Sequence, residues 1–249
     1  MMRKLIQAYI QDQALPRTAR LVQQIATGGL DPTNPGLEAV YQRIFERDLA
    51  QIGVENKFYP VGNAANYGLL YFLLRVARET KLSSVLELGA GQTSLLFDEL
   101  RRHGLITGSV LTIEHDPIWA DYVRARVSHE VRVVTLRHYE DDGLSYDGYD
   151  FDAAQLDATI DLLVVDGPPA LTPKQRYTRH CCLTLLGKLN PAGFIIVIDD
   201  AERRGETLLR DRIAQELQSA DIAFTRGRVV ANKRQSIFAS GQFSHVAFY

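Results

Sequence analysis

From Tyr67 onward, short apolar runs alternate with stretches of helical spacing, a pattern that predicts strands and helices in strict succession. The apolar runs place strands at 85–88, 110–114, 131–136, 161–166 and 194–199. Apolar positions three and four apart place helices between them at about 67–79, 93–103, 117–127 and 173–189. A further helix at 206–219 leads into two closing strands near 222–225 and 236–239. Alternation of this kind predicts an α/β fold with a parallel, doubly wound sheet and helices on both faces. Residues 139–157 break the pattern; they are acidic and rich in Tyr and Gly, and are expected to form an irregular insertion near the ligand face.

The first 57 residues differ in character. Helical spacing is clearest at 18–25 and 37–52, with breakers between them, Thr27-Gly28-Gly29 and Asp31-Pro32-Thr33-Asn34-Pro35-Gly36. The expected organisation is therefore an N-terminal helical extension over 1–57 and a ligand-binding α/β domain over 58–249. The extension either packs plainly on the sheet or serves as a lid or homodimer contact that shapes a pocket.

Bulk properties narrow the function classes. At 249 residues and 46% apolar content, the chain is long enough for one sizeable α/β core. A net charge of −2 leaves no basic footprint for nucleic acid. No apolar run approaches the roughly 20 residues of a membrane span. The opening apolar positions are interrupted by Gln11-Asp12-Gln13, too early for a signal-peptide core. Cys181 and Cys182 are adjacent and poorly placed to bridge each other, which favours a reduced, cytoplasmic protein.

Four predicted strands end in acid or glycine, and a parallel sheet brings such ends to one edge, where ligands bind. The first is Glu87-Leu88-Gly89-Ala90-Gly91. Its glycines permit a tight turn into a helix start, where backbone N–H groups face a polar ligand. The second ends in Glu114-His115-Asp116, with Glu114 23 residues beyond Gly91, close to the spacing at which an acid meets a ribose. The third is Asp166-Gly167-Pro168-Pro169 and the fourth Asp199-Asp200. Each acid alone would pass for a helix cap or turn former. Four at one edge form a candidate site. Arg176-Tyr177, opening the helix after Asp166, is a candidate anchor for an anionic or aromatic substrate.

Taken together, Glu-x-Gly-x-Gly, an acid ending the second strand, Val-Asp-Gly-Pro-Pro, and a strand ending in Asp-Asp resemble a class I S-adenosylmethionine-dependent methyltransferase over residues 59–204. The resemblance implies a Rossmann-like seven-stranded sheet whose last strand is antiparallel. It implies that Glu87, Gly89 and Gly91 line the methionine end of S-adenosyl-L-methionine and that Glu114 grips the ribose. His115 and Trp119 fall where the class packs the adenine, and one of Glu140, Asp141 and Asp142 would meet its amine. Thr93 replaces the third glycine of many members, so Thr93 or Ser94 is expected to cap the helix and offer a hydroxyl to the cofactor.

Asp166, Asp199 and Asp200 also resemble in placement the divalent-metal ligands of the catechol and caffeoyl-CoA O-methyltransferases, with Asp200 where those enzymes carry Asn. That likeness implies catalytic or metal-binding roles, Mg²⁺ being the cation that three carboxylates suit. Gly167-Pro168-Pro169 departs from it, standing where those enzymes carry a lysine. The expected function is methylation of a small molecule on oxygen, with or without metal. Two alternatives use the same residues. One is a protein that holds S-adenosylmethionine without transferring the methyl group. The other is a nicotinamide-dependent oxidoreductase, which Ser94 at the third fingerprint position disfavours.

Overall fold

The computed structural model describes residues 33–62 and 64–249, and residues 34–249 form one compact unit. The expected helix at 18–25 lies outside the described residues. The other helix of the expected extension, α1 (Pro35–Gln51), belongs to the compact unit: Phe45 and Leu49 are fully buried in the same core as the next helix, α2 (Tyr67–Glu79). Glu38 of α1 accepts the Tyr67 N–H at 2.6 Å and an Asn66 amide hydrogen at 2.8 Å, fastening α1 to the start of α2.

The strands are β1 (Leu82–Leu88), β2 (Ile106–Glu114), β3 (Glu130–Val133), β4 (Leu136–Asp141), β5 (Leu144–Tyr149), β6 (Leu162–Val165), β7 (Ile195–Ile198), β8 (Thr225–Val230) and β9 (Arg234–Ala239). Seven form one sheet in the order β3-β2-β1-β6-β7-β9-β8, with β9 antiparallel to both neighbours and the remaining pairs parallel. Helices α3 (Gln92–Arg102), α4 (Pro117–Arg124) and α5 (Arg204–Ser219) complete the layers.

The central strands read as unbroken apolar runs because both faces of the sheet are covered. Val85, Val164, Val197 and Ile237 enter one core with α1, α2 and α3. Leu86, Val165, Ile198 and Phe238 enter the other, with α5 and the 144–189 region. Period-two alternation is thus present in the structure but invisible in hydropathy, since inward and outward positions are equally apolar.

Four expected elements are corrected. The strand expected at 131–136 stops at Val133, and residues 139–157 are no irregular insertion. Residues 139–149 complete a separate antiparallel hairpin, β4–β5, turned by Asp142 and Gly143, both at positive φ (49° and 74°), and Ala153–Gln155 form a 3₁₀ turn. The helix expected at 173–189 is instead two 3₁₀ stretches, Pro173–Gln175 and Thr178–Lys188. The closing strand expected near 222–225 begins only at Thr225.

Candidate active site

Register sets the site. Leu88 pairs with Ile113 and Val165, and Val165 with Ile198, so Gly89, Glu114, Asp166 and Asp199 all follow at one edge. The chain runs from β1 outward to β2 and β3, then returns to β6 on the other side of β1. The crevice between β1 and β6 is therefore the switch point where open sheets take ligands. Backbone approach there is tight. A Cβ on Gly89, which has φ of 98°, would lie 3.0 Å from the Asp166 backbone, and one on Gly167 would lie 2.7 Å from Gly89 Cα. Only glycines permit this packing.

A cavity of about 530 Å³ opens over the crevice, within the range of ligand clefts. Gly89 to Gln92 and Glu114 line it from the ends of β1 and β2. Asp166, Asp200 and Arg203 line it from beyond β6 and β7, with an apolar lip that includes Val61 and Leu171. Glu114 is fixed by three backbone donors: His115 N at 2.7 Å and Asp116 N at 2.9 Å to Oε1, and Ala90 N at 3.1 Å to Oε2. These leave Oε2 with acceptor capacity toward the cavity. His115 Nδ1 lies 2.8 Å from Glu114 Oε1. Trp119 also lines the cavity, and its indole donates to Ala90 O at 2.7 Å.

Glu87 does not line the cavity. It is fully buried beneath the turn and accepts the Ser94 hydroxyl at 2.5 Å and the Thr112 hydroxyl at 2.6 Å. Burial raises its pKa to about 7, with the Ser94 and Thr112 hydrogen bonds opposing the rise. Gly91 is the N-cap residue of α3, so neither Thr93 nor Ser94 occupies the expected cap position; Ser94, three residues on, closes the helix start by accepting the Gly91 N–H at 2.9 Å. Thr93 and Ser94 are both buried and line no part of the cavity. The first strand's acid thus braces the turn from below.

None of Glu140, Asp141 and Asp142 reaches the cavity, because the hairpin carries them elsewhere. Glu140 is exposed on β4, Asp141 accepts a hydrogen bond from Arg212 at 2.5 Å, and Asp142 sits in the turn. The hairpin delivers Tyr149 instead. This side chain is buried, lines the cavity, and its hydroxyl has no partner among the described residues. Arg176 and Tyr177 are likewise outside the cavity lining. The Arg176 backbone packs on Gly205, and the Tyr177 ring stands edge-on to His180 at 5.5 Å. Cys181 and Cys182 are buried and free; burial raises the Cys181 thiol to about 12, so both serve packing.

The three aspartates do come together, each offering an oxygen within 4.8 Å of the others. Arg179 and Lys233, which no sequence feature singled out, fill the space around them. Buried Arg179 donates to Asp166 Oδ1 at 3.0 Å, Asp200 Oδ2 at 3.0 Å and Asp199 O at 3.0 Å. Lys233 donates to Asp199 Oδ2 at 3.1 Å and lies 3.2 Å from Asp200 Oδ1. Arg203 pairs with Asp200 Oδ2 at 2.9 Å. Three carboxylates thus face three cations. The set does not fit the expected Mg²⁺, which would have to displace an ammonium already seated among its ligands.

The aspartates also differ in access. Asp199 is wholly buried; burial opposes its charge, but Lys233 and then Arg179 outweigh this and hold its pKa below the ordinary value. Asp166 retains 18% side-chain exposure and lines the cavity. Burial first and Asp199 second hold its pKa well above the usual carboxylate range, against the opposing charge of Arg179.

No protein-family profile and no curated protein matches the chain. Solved structures do. An SAH-bound methyltransferase of Podospora anserina superposes with a TM-score of 0.50 at 15% identity, covering 84% of this chain and 97% of that one. A methyltransferase of Pyrococcus furiosus superposes at 0.48 and 17%, covering 91% and 98%. An O-methyltransferase of Bacillus cereus in complex with SAH superposes at 0.46 and 16%, covering 89% and 97%. The fold is the Rossmann-like seven-stranded fold of class I methyltransferases, as the strand order and the antiparallel β9 require.

Proposed function

We propose that the chain is an S-adenosylmethionine-dependent methyltransferase acting on a hydroxyl of a small-molecule acceptor. One observation carries this reading: a single cavity is lined by the Gly89–Gly91 turn, Glu114 and Asp166 together. Three features fit the cofactor. Glu114 keeps acceptor capacity for a ribose, Gly91 faces open space, and the buried Tyr149 hydroxyl lacks a partner. The bound cofactor supplies an electrophilic methyl group on a sulfonium.

The chain's own residues supply position and proton transfer. Alignment of the acceptor is worth about 7–11 kcal/mol and a general base about 10²- to 10⁴-fold, so positioning dominates. Asp166 is the base: Arg179 holds Oδ1, and burial, which raises its pKa, makes its carboxylate the stronger proton acceptor. Asp199 and Asp200 act through Arg179 and Lys233 as positioning residues. The apolar lip receives the acceptor's body. Two buried free thiols accord with a reducing, cytoplasmic setting. Among the described residues no helix is long and apolar enough to cross a membrane.

The test is methyl incorporation from labelled S-adenosylmethionine into a panel of phenols and aliphatic alcohols. Transfer to a hydroxyl is expected, with turnover reduced about 10²- to 10⁴-fold in Asp166→Asn. Unchanged turnover in Asp166→Asn would remove the base, and absence of any transfer would remove the reaction.

A further inference from the structure

We infer that Lys233 occupies the cation position of the Asp166, Asp199 and Asp200 cluster, so that the protein carries its own positive charge there and binds no divalent metal at that corner. β9 runs antiparallel to β7, with Ile198 paired to Ser236, so the chain entering β9 must pass the carboxyl end of β7. The residues just before Ser236 therefore arrive beside Asp199 and Asp200, although more than thirty positions separate them in sequence.

Two hydrogens of the Lys233 ammonium have protein acceptors, Ala64 O at 3.0 Å and Asp199 Oδ2 at 3.1 Å. Nζ also lies 3.2 Å from Asp200 Oδ1, an ion pair without a hydrogen bond. The remaining oxygens of the pair are also taken. Gln235 donates to Asp199 Oδ1 at 2.6 Å, and Arg179 and Arg203 hold Asp200 Oδ2. The oxygens a hard cation would need, two carboxylates and a carbonyl, are the ones Lys233 bridges. Charge points the same way, since Arg179, Arg203 and Lys233 already compensate the three aspartates, which leaves the trio no net negative charge to draw a dication.

Substituting Lys233 should therefore create the site that the natural chain closes. In Lys233→Ala, Asp199 Oδ2, Asp200 Oδ1 and Ala64 O face vacated space with one unbalanced negative charge. Lys233→Gln offers the same gain with less loss of volume.

The test is Mn²⁺ titration followed by electron paramagnetic resonance on the full chain without methyl donor. The outcome is thus separate from the methyltransferase reading. Wild type is expected to leave Mn²⁺ free, while Lys233→Ala or Lys233→Gln takes up about one equivalent, displaced by Mg²⁺. Adding Asp199→Asn to either variant should abolish that uptake, which a general loosening of structure would not explain. Stoichiometric Mn²⁺ binding by wild type, lost in Asp199→Asn, would overturn the inference. So would a folded Lys233→Ala or Lys233→Gln that binds none. The wild-type arm decides the matter by itself if neither variant folds.

Discussion

Ser94 donates its hydroxyl to Glu87 at 2.5 Å and accepts the Gly91 N–H at 2.9 Å, so one serine ties a buried acid to the turn above it. Because burial raises the Glu87 pKa from 4.5 to about 7, the native state binds a proton that the unfolded chain releases between those values. The sign follows: this group's contribution to stability is full below about pH 4.5 and is lost as pH rises through about 7. The loss amounts to about 3 kcal/mol at most. Glu87→Gln should lack it. Denaturant unfolding from pH 4.5 to 8 should show wild-type stability falling relative to the variant; parallel curves would refute the account.

Arg179 is the hub of the acid cluster, with a 5% exposed side chain and five acceptors among Asp166, Asp199, Asp200 and Pro168. Removing one partner of a buried ionic network strands the others, at a cost of about 3–5 kcal/mol. Arg179→Met is predicted to lose that much in urea unfolding. Arg179→Lys should recover only part, because an ammonium cannot reproduce the guanidinium fork. Full recovery in the lysine variant would show that charge alone matters there.

Tyr149 makes the opposite prediction for stability. Its buried hydroxyl has no partner among the described residues, so Tyr149→Phe should leave stability unchanged or raise it by up to about 1 kcal/mol. If the hydroxyl is kept for a ligand, the same variant should bind S-adenosylhomocysteine about five- to tenfold more weakly. Destabilisation without loss of affinity would assign the hydroxyl a structural role.

The architecture was largely legible because its signals are local. The runs ending at Leu88, Glu114, Val165 and Ile198 are apolar and bounded by glycine or acid, so the strands and their shared edge could be placed from sequence. The β4–β5 hairpin was missed although Asp142-Gly143 is a strong two-residue turn signal, because the acidic residues around it mask the alternation. The site was legible only where it lies on those strand ends. Lys233 and Arg179 reach the acids through an antiparallel return and a 3₁₀ stretch, and neither leaves a local mark. The side chain one helical turn earlier, Arg176, was the expectation, and the 3₁₀ winding of Thr178–Lys188 sends Arg179 inward instead. Glu87 was placed correctly at the turn but on the wrong side of it, since sequence spacing does not distinguish above from below.

Glu114, held over the Gly89–Gly91 turn, is the residue proposed to receive the cofactor. Calorimetric titration with S-adenosylhomocysteine, comparing wild type with Glu114→Ala, tests this. One site of about micromolar affinity is expected in wild type, with binding at least about tenfold weaker in a folded Glu114→Ala. No binding by wild type, or equal binding by the two proteins, would contradict it.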